Sequence, residues 1–286
     1  MSDDLGFVHV YIPASDPDNR ATILLLHGTG GDEVSLVPVA ERILPGAAIL
    51  SPRGKVLENG MPRFFRRFSE GVFDLEDLRL RTAELTEFII EASGVYGFDR
   101  KNLIAAGYSN GANIAAGILL TYSGVIPRAV LFHPMVPFVP DRLPDLSDSD
   151  ILITAGANDP VVSPEGTENL GKLLKDAGAR VEVFWHDRGH NLTREEINAA
   201  KMQVVGGILS VECDRFLTQR HPFFELVRIS GEAEAAQREH FRGLPAEALR
   251  VIFFFVGHLS LFRWDTYCDG RDFRRKKLPA IGKWHG

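Results

Sequence analysis

A mostly parallel β-sheet with helices on both faces is the architecture this 286-residue sequence predicts. Three observations predict it. Continuous apolar runs without alternation, at residues 21–26, 103–106 and 151–155, suit strands covered on both sides. Helix-like stretches separate those runs, the spacing expected of a doubly covered parallel sheet. The residues fit for chemistry lie just beyond strand ends, and in a parallel sheet those carboxyl ends share one edge.

Composition bounds the rest. An apolar fraction of 45% over this length supports one large α/β domain, or one of roughly 200 residues with an appendage. The acidic start Met1-Ser2-Asp3-Asp4 lacks the basic region and apolar run of a signal peptide, and no apolar run approaches the roughly 18 residues of a membrane span. Cys213 and Cys268 make neither a disulfide framework nor a zinc-ligand spacing, so no metal is expected and a cytoplasmic location is. A net charge of -6 argues against nucleic acid as a partner.

In chain order, residues 7–12 alternate like an opening strand, and 21–26 form a buried one that ends in His27-Gly28-Thr29-Gly30-Gly31-Asp32-Glu33. That loop is no dinucleotide fingerprint, since Glu33 stands where a third glycine belongs, and no Gly-Lys-Ser/Thr makes it a phosphate loop. Its small residues would let the Thr29 N–H turn toward a developing oxyanion; the plainer alternative is a tight turn into a helix at 34–43. A strand at 47–51 leads into residues 52–73, a stretch with no clear period and four phenylalanines among arginines. Long aperiodic loops are often binding segments. The rings would line an apolar pocket with a cationic rim, or pack beneath the loop. Asp74 caps a helix reaching about Ser93.

Residues 102–113 are the centre of the sequence: an apolar strand, the turn Gly107-Tyr108-Ser109-Asn110-Gly111, then an Ala-rich helix through Leu120. This is the pattern of a nucleophile elbow, in which flanking glycines let strand and helix close around an exposed serine. Further strands are expected at 129–133, 151–155 and 181–185, a helix at 164–178, and another starting at Thr193. Asp159 and His190 follow the strands at 151–155 and 181–185, and the order Ser109, Asp159, His190 is that of the α/β-hydrolases. His190 would act as general base, Asp159 would orient it, and the Thr29 and Asn110 N–H groups would form the oxyanion hole. Asp159-Pro160 read alone is an ordinary turn. His9, His27, His133 and His186 lie in strands, in the glycine loop or before a proline, and none has the position of His190.

The stretches Leu24-Leu25-Leu26-His27-Gly28-Thr29-Gly30-Gly31, Glu58-Asn59-Gly60-Met61-Pro62-Arg63-Phe64-Phe65, Ser69-Glu70-Gly71-Val72-Phe73-Asp74, Gly107 to Asn113, His133-Pro134-Met135-Val136-Pro137 and Gly189-His190 resemble the small α/β-hydrolases of the phospholipase/carboxylesterase family. Within it, they are most similar to bacterial methylhydroquinone- and quinone-response carboxylesterases. The resemblance implies an α/β-hydrolase fold without a large cap domain, a nucleophile, acid and base at Ser109, Asp159 and His190, and no cofactor or metal. The substrate would be a small acyl or aryl ester, with thioesters also in reach. Met61, Phe64, Phe65, Phe68 and Met135 are the candidate substrate-binding residues.

Residues 1–204 make up the hydrolase domain on this reading, and 205–286 an extension such proteins usually lack. The extension carries 13 Lys/Arg against 10 Asp/Glu, both cysteines and two of the three tryptophans. A lid, a dimerisation arm that would give a homodimer, a small extra domain and a solvated tail are all open for it. Residues 232–250 read as helix and 251–262 as strand, while Arg274-Arg275-Lys276-Lys277 reads as a solvated basic face. Two other functions stay open: hydrolysis of a C–C bond in an aromatic ring-fission product, and ligand binding on an inactive hydrolase scaffold.

Overall fold

The computed structural model describes residues 5–17 and 19–218, with side chains up to residue 206. The predicted extension therefore lies mostly outside the described residues, including its helix at 232–250, its strand at 251–262 and its basic run. The described residues up to Cys213 form one compact unit.

Among the described residues, seven strands make the main sheet: β1 (His9–Ile12), β2 (Thr22–Leu26), β3 (Ala48–Pro52), β8 (Leu103–Tyr108), β9 (Arg128–Phe132), β10 (Asp150–Gly156) and β11 (Arg180–His186). Their order is β1-β3-β2-β8-β9-β10-β11; β1 runs antiparallel to β3 and the other pairs are parallel. Strand parity sorts the core into two layers. Leu24 and Leu26 of β2, Ala105 of β8, Leu131 of β9 and Ile153 of β10 join a cluster with helices α2 (Leu75–Tyr96), α3 (Asn110–Leu119) and α4 (Pro164–Asp176). Their neighbours Ile23, Leu25, Ala106, Val130 and Leu152 face α1 (Val37–Ile43) and α5 (Arg194–Thr218). Every residue of β2 and all but one terminal residue each of β8 and β10 are buried, the covering on both sides that the unbroken apolar runs foretold; β3 and β9 are wholly buried as well.

Helix ends follow their caps. The Asp74 carboxylate accepts from Asp77 N at the start of α2, Ser163 does the same for Gly166 at α4, and Gly97 closes α2 with φ 72°. Thr193 and Glu196 bond reciprocally at the start of α5: Thr193 N–H donates to Glu196 Oε2 at 2.8 Å and Glu196 N–H donates to Thr193 Oγ1 at 3.2 Å.

The stretch expected to be an aperiodic loop is two hairpins. β4 (Val56–Glu58) pairs with β5 (Met61–Arg63) across Asn59-Gly60, both at positive φ, and β6 (Arg67–Ser69) pairs with β7 (Val72–Phe73). Strands of two or three residues are too short to show alternation. The Asn-Gly turn is the signal they leave in the sequence.

Candidate active site

β8 ends at Tyr108, α3 begins at Asn110, and Ser109 between them is held at φ 52°, ψ -112°. Two residues to either side, at positions 107 and 111, only glycine fits. A Cβ at Gly107 would lie 2.7 Å from the Gly111 carbonyl oxygen, and one at Gly111 would lie 1.9 Å from that of Leu26. The strained serine thus follows from two close backbone approaches.

The edge of the sheet brings three side chains into line. His190 Nε2 lies 2.9 Å from Ser109 Oγ, and His190 Nδ1 lies 2.8 Å from Asp159 Oδ2. Asp159 Oδ1 accepts from the Val161 and Val162 N–H groups at 2.8 and 3.1 Å. Burial works against ionisation of Asp159, but the His190 hydrogen bond and these two amides outweigh it and hold the carboxyl below its usual value. An ionised Asp159 fixes the His190 proton on Nδ1 and leaves Nε2 free to accept from the serine hydroxyl. Tyr108 anchors the same loop by donating its hydroxyl to the His190 carbonyl at 2.9 Å.

The glycine loop after β2 is pinned from several sides. His27 Nε2 accepts from Gly54 N–H at 2.9 Å, so its proton sits on Nδ1 and is donated to the Gly28 carbonyl at 2.7 Å. Burial lowers the His27 pKa, consistent with this neutral ring. Gly30 N–H donates to Pro62 O, and Arg63 Nη1 donates to Thr29 Oγ1 at 2.7 Å. The Thr29 N–H has no backbone partner among the described residues, and Asn110 N–H, at the first position of α3, lies outside the helix ladder. Thr29, Ser109, Asn110 and His190 border one pocket of about 220 Å³.

The substrate-binding expectations divide. Met135 borders the pocket, together with Phe73, Arg63 and Arg67. Met61 covers Gly30 and is 41% exposed. Phe64 and Phe65 require correction: both are buried in the core below the hairpins, because the chain after β5 turns inward and Phe64 N–H bonds to Asn110 Oδ1 at 2.7 Å. Phe68 requires correction in the opposite sense, being 75% exposed on β6 and outside the pocket lining.

Several roles escaped sequence reasoning. The Asn110 side chain, beside the expected role of its N–H, and that of Asn113 accept from Phe64 N–H and Met135 N–H, both at 2.7 Å, and so tie two pocket walls to the elbow. Arg63 is 2% exposed and spans Thr29 and Glu58. His133, set aside in the sequence as a residue before a proline, sits at φ 52° with Nδ1 2.8 Å from Asp159 Oδ2. Its position beyond β9, on the edge that carries Ser109, was the available signal. Two clusters among the described residues bring ligand-type atoms within 4.8 Å of one another: His133, His186 and Glu196; and His133, Asp159 and His190. Both share His133, whose two nitrogens already face carboxylates.

Comparison with known proteins follows the same outline. Residues 89–242 match the Dienelactone hydrolase family. The protein MhqD of Bacillus subtilis (strain 168) is 49% identical over 193 residues, which span 68% of this chain and 95% of MhqD. Among solved structures, the Bacillus cereus carboxylesterase is 50% identical with a TM-score of 0.68, covering 70% of this chain and 94% of that one. A carboxylesterase from Mesorhizobium loti is 31% identical with a TM-score of 0.67, covering 72% and 97% respectively. The sheet is thus an α/β-hydrolase sheet.

Proposed function

Because this chain belongs to the dienelactone hydrolase family and is an enzyme of the carboxylesterase type, we propose that it cleaves small acyl or aryl esters through an acyl-Ser109 intermediate. The observation that carries this reading is the continuous contact from Ser109 Oγ through both nitrogens of His190 to Asp159, at 2.9 and 2.8 Å, on the border of a pocket.

Ser109 Oγ attacks the ester carbonyl while its proton passes to His190 Nε2. Asp159, ionised and bonded to Nδ1, stabilises the resulting imidazolium. The carbonyl oxygen becomes an oxyanion that accepts from the Thr29 and Asn110 N–H groups; loss of one such donor typically costs about 2.7 to 4 kcal/mol. His190 returns the proton to the leaving alkoxide, and water, activated by the same base, releases the acid. A thioester presents the same carbonyl to the same nucleophile. The 220 Å³ pocket lies below the roughly 300 Å³ where drug-sized ligand sites begin, which supports a small substrate. Among the described residues no helix is long and apolar enough to cross a membrane. We place the activity in the cytoplasm, on the sparse cysteines of the sequence.

Stopped-flow hydrolysis of p-nitrophenyl acetate and butyrate tests the reading. A nitrophenol burst of one equivalent per active site is expected, with acetate favoured. Ser109→Ala should abolish the burst and lower turnover by roughly 10⁴-fold or more. A folded protein that neither bursts nor turns over would count against an acyl-enzyme esterase, and hydrolysis of a vinylogous ketone in its place would indicate C–C cleavage.

A further inference from the structure

His133 and Glu196 take no part in the relay just described, yet both side chains are fully buried behind it. His133 Nδ1 stands 2.8 Å from Asp159 Oδ2, the same oxygen that receives His190 Nδ1 at 2.8 Å. His133 Nε2 stands 2.9 Å from Glu196 Oε1 in a bent approach, held by charge more than by a linear hydrogen bond. Glu196 Oε1 also accepts from Thr154 Oγ1 at 2.6 Å, and Oε2 accepts from Thr193 N–H at 2.8 Å with His186 Nε2 3.3 Å away.

The chemistry of these groups constrains their charges. An ionised carboxylate only accepts, so a neutral His133 would leave one of its two nitrogens facing a carboxylate oxygen without a proton between them. The donors around Glu196 favour its ionised form, which makes His133 the imidazolium. Its backbone is held at φ 52°, a left-handed conformation uncommon for a residue with a side chain, and such strain persists only where the surroundings enforce it.

Resting on the serine-hydrolase reading above, we propose that His133 and Glu196 are positioning residues: the His133 cation, clamped between two carboxylates, fixes the Asp159 oxygen that orients His190 and sets the field in which that base accepts its proton. The ring centroids of His133 and His190 are 5.1 Å apart, so the buried cation opposes a second positive charge on His190. Glu196 lies on the far nitrogen of His133 and offsets only part of that effect. The groups facing His133 are Asp159 beyond β10, Glu196 of α5, His186 at the end of β11, His190 in the following loop and Tyr108 of β8, whose ring is 6.0 Å away. His190 itself faces Ser109, Asp159, Tyr108 and His133. Burial disfavours the charged ring of His133, but Glu196 and Asp159 outweigh it and raise its pKa.

The test is the double variant His133→Asn/Glu196→Gln, which removes the charges together and leaves neither one buried alone. Asparagine also tolerates the left-handed backbone at position 133. The acid limb of kcat/KM for p-nitrophenyl acetate should move to higher pH, and kcat should fall with little change in KM. A pair that serves only folding would lower the melting temperature and leave that limb in place, which would overturn the proposal. Imidazole ¹⁵N spectra of the unaltered protein give a reading that needs neither turnover nor a folded variant. His133 should remain doubly protonated above the ordinary histidine value of 6.5. A neutral ring there overturns the proposal; a charged ring in a protein that cleaves no ester upholds the clamped cation and places the failure in the proposed function.

Discussion

At Ser109 the backbone is part of the chemistry, because φ 52° and ψ -112° lift the hydroxyl clear of the strand and toward His190. Gly111→Ala puts a methyl 1.9 Å from a backbone oxygen, so this variant is expected to lose soluble folded protein, measurable as loss of the thermal transition. Asp159→Asn should cost about 10⁴-fold in kcat, since an amide no longer fixes the His190 tautomer; a loss below tenfold would speak against its role. The pH dependence of stability follows from the buried network. Burial opposes ionisation of Glu196, but His133, Thr154 and Thr193 outweigh it and lower its pKa from 4.5 to about 2. Its contribution is present above 4.5 and fades as pH falls toward 2. The raised pKa of His133 makes its contribution complete below 6.5 and lost as pH rises through the folded value. Denaturant titrations should therefore find the stability gap between the protein and His133→Asn/Glu196→Gln widest between the reference values 4.5 and 6.5. A gap that is flat with pH contradicts the ionised pair.

Among the elements, the legible ones were those whose residues answer to a single neighbour. The strands β2, β8 and β10 are wholly or almost wholly buried, and their unbroken apolar runs said so. Asp74 and Thr193 marked helix starts through local hydrogen bonds. The two hairpins were hidden because strands this short have no period, and their aromatic residues were sorted by tertiary contact: Phe64 and Phe65 inward, Phe68 outward. Ser109, Asp159 and His190 could be picked out because each follows a strand. The Thr193 to Glu196 spacing could have announced a capping box, but nothing local says that the glutamate also reaches His133 and Thr154. Asn113→Ala tests how the hairpin side of the pocket is held. Losing the bond to Met135 N–H leaves a part-buried donor unpaired, at about 1 kcal/mol, and should appear in KM as well as in denaturant midpoints.

For the whole molecule, the sheet separates two tasks. One layer holds α2, α3 and α4, the other α1 and α5, and the edge they share carries the strand ends from which Ser109, Asp159 and His190 project. The relatives match 68 to 72% of this chain while being covered over 94 to 97% of their own length. A chain ending after Thr218 is accordingly expected to keep the nitrophenol burst; its loss would assign the following residues a part in catalysis. Peptide mass mapping after acid quench within the burst reads the covalent acyl-serine itself. With p-nitrophenyl acetate as substrate, one acetyl group is expected on the peptide bearing Ser109, absent once the substrate is exhausted. A burst whose acetyl group lies on another residue, or turnover with no acetylated peptide, would contradict the acyl-Ser109 intermediate.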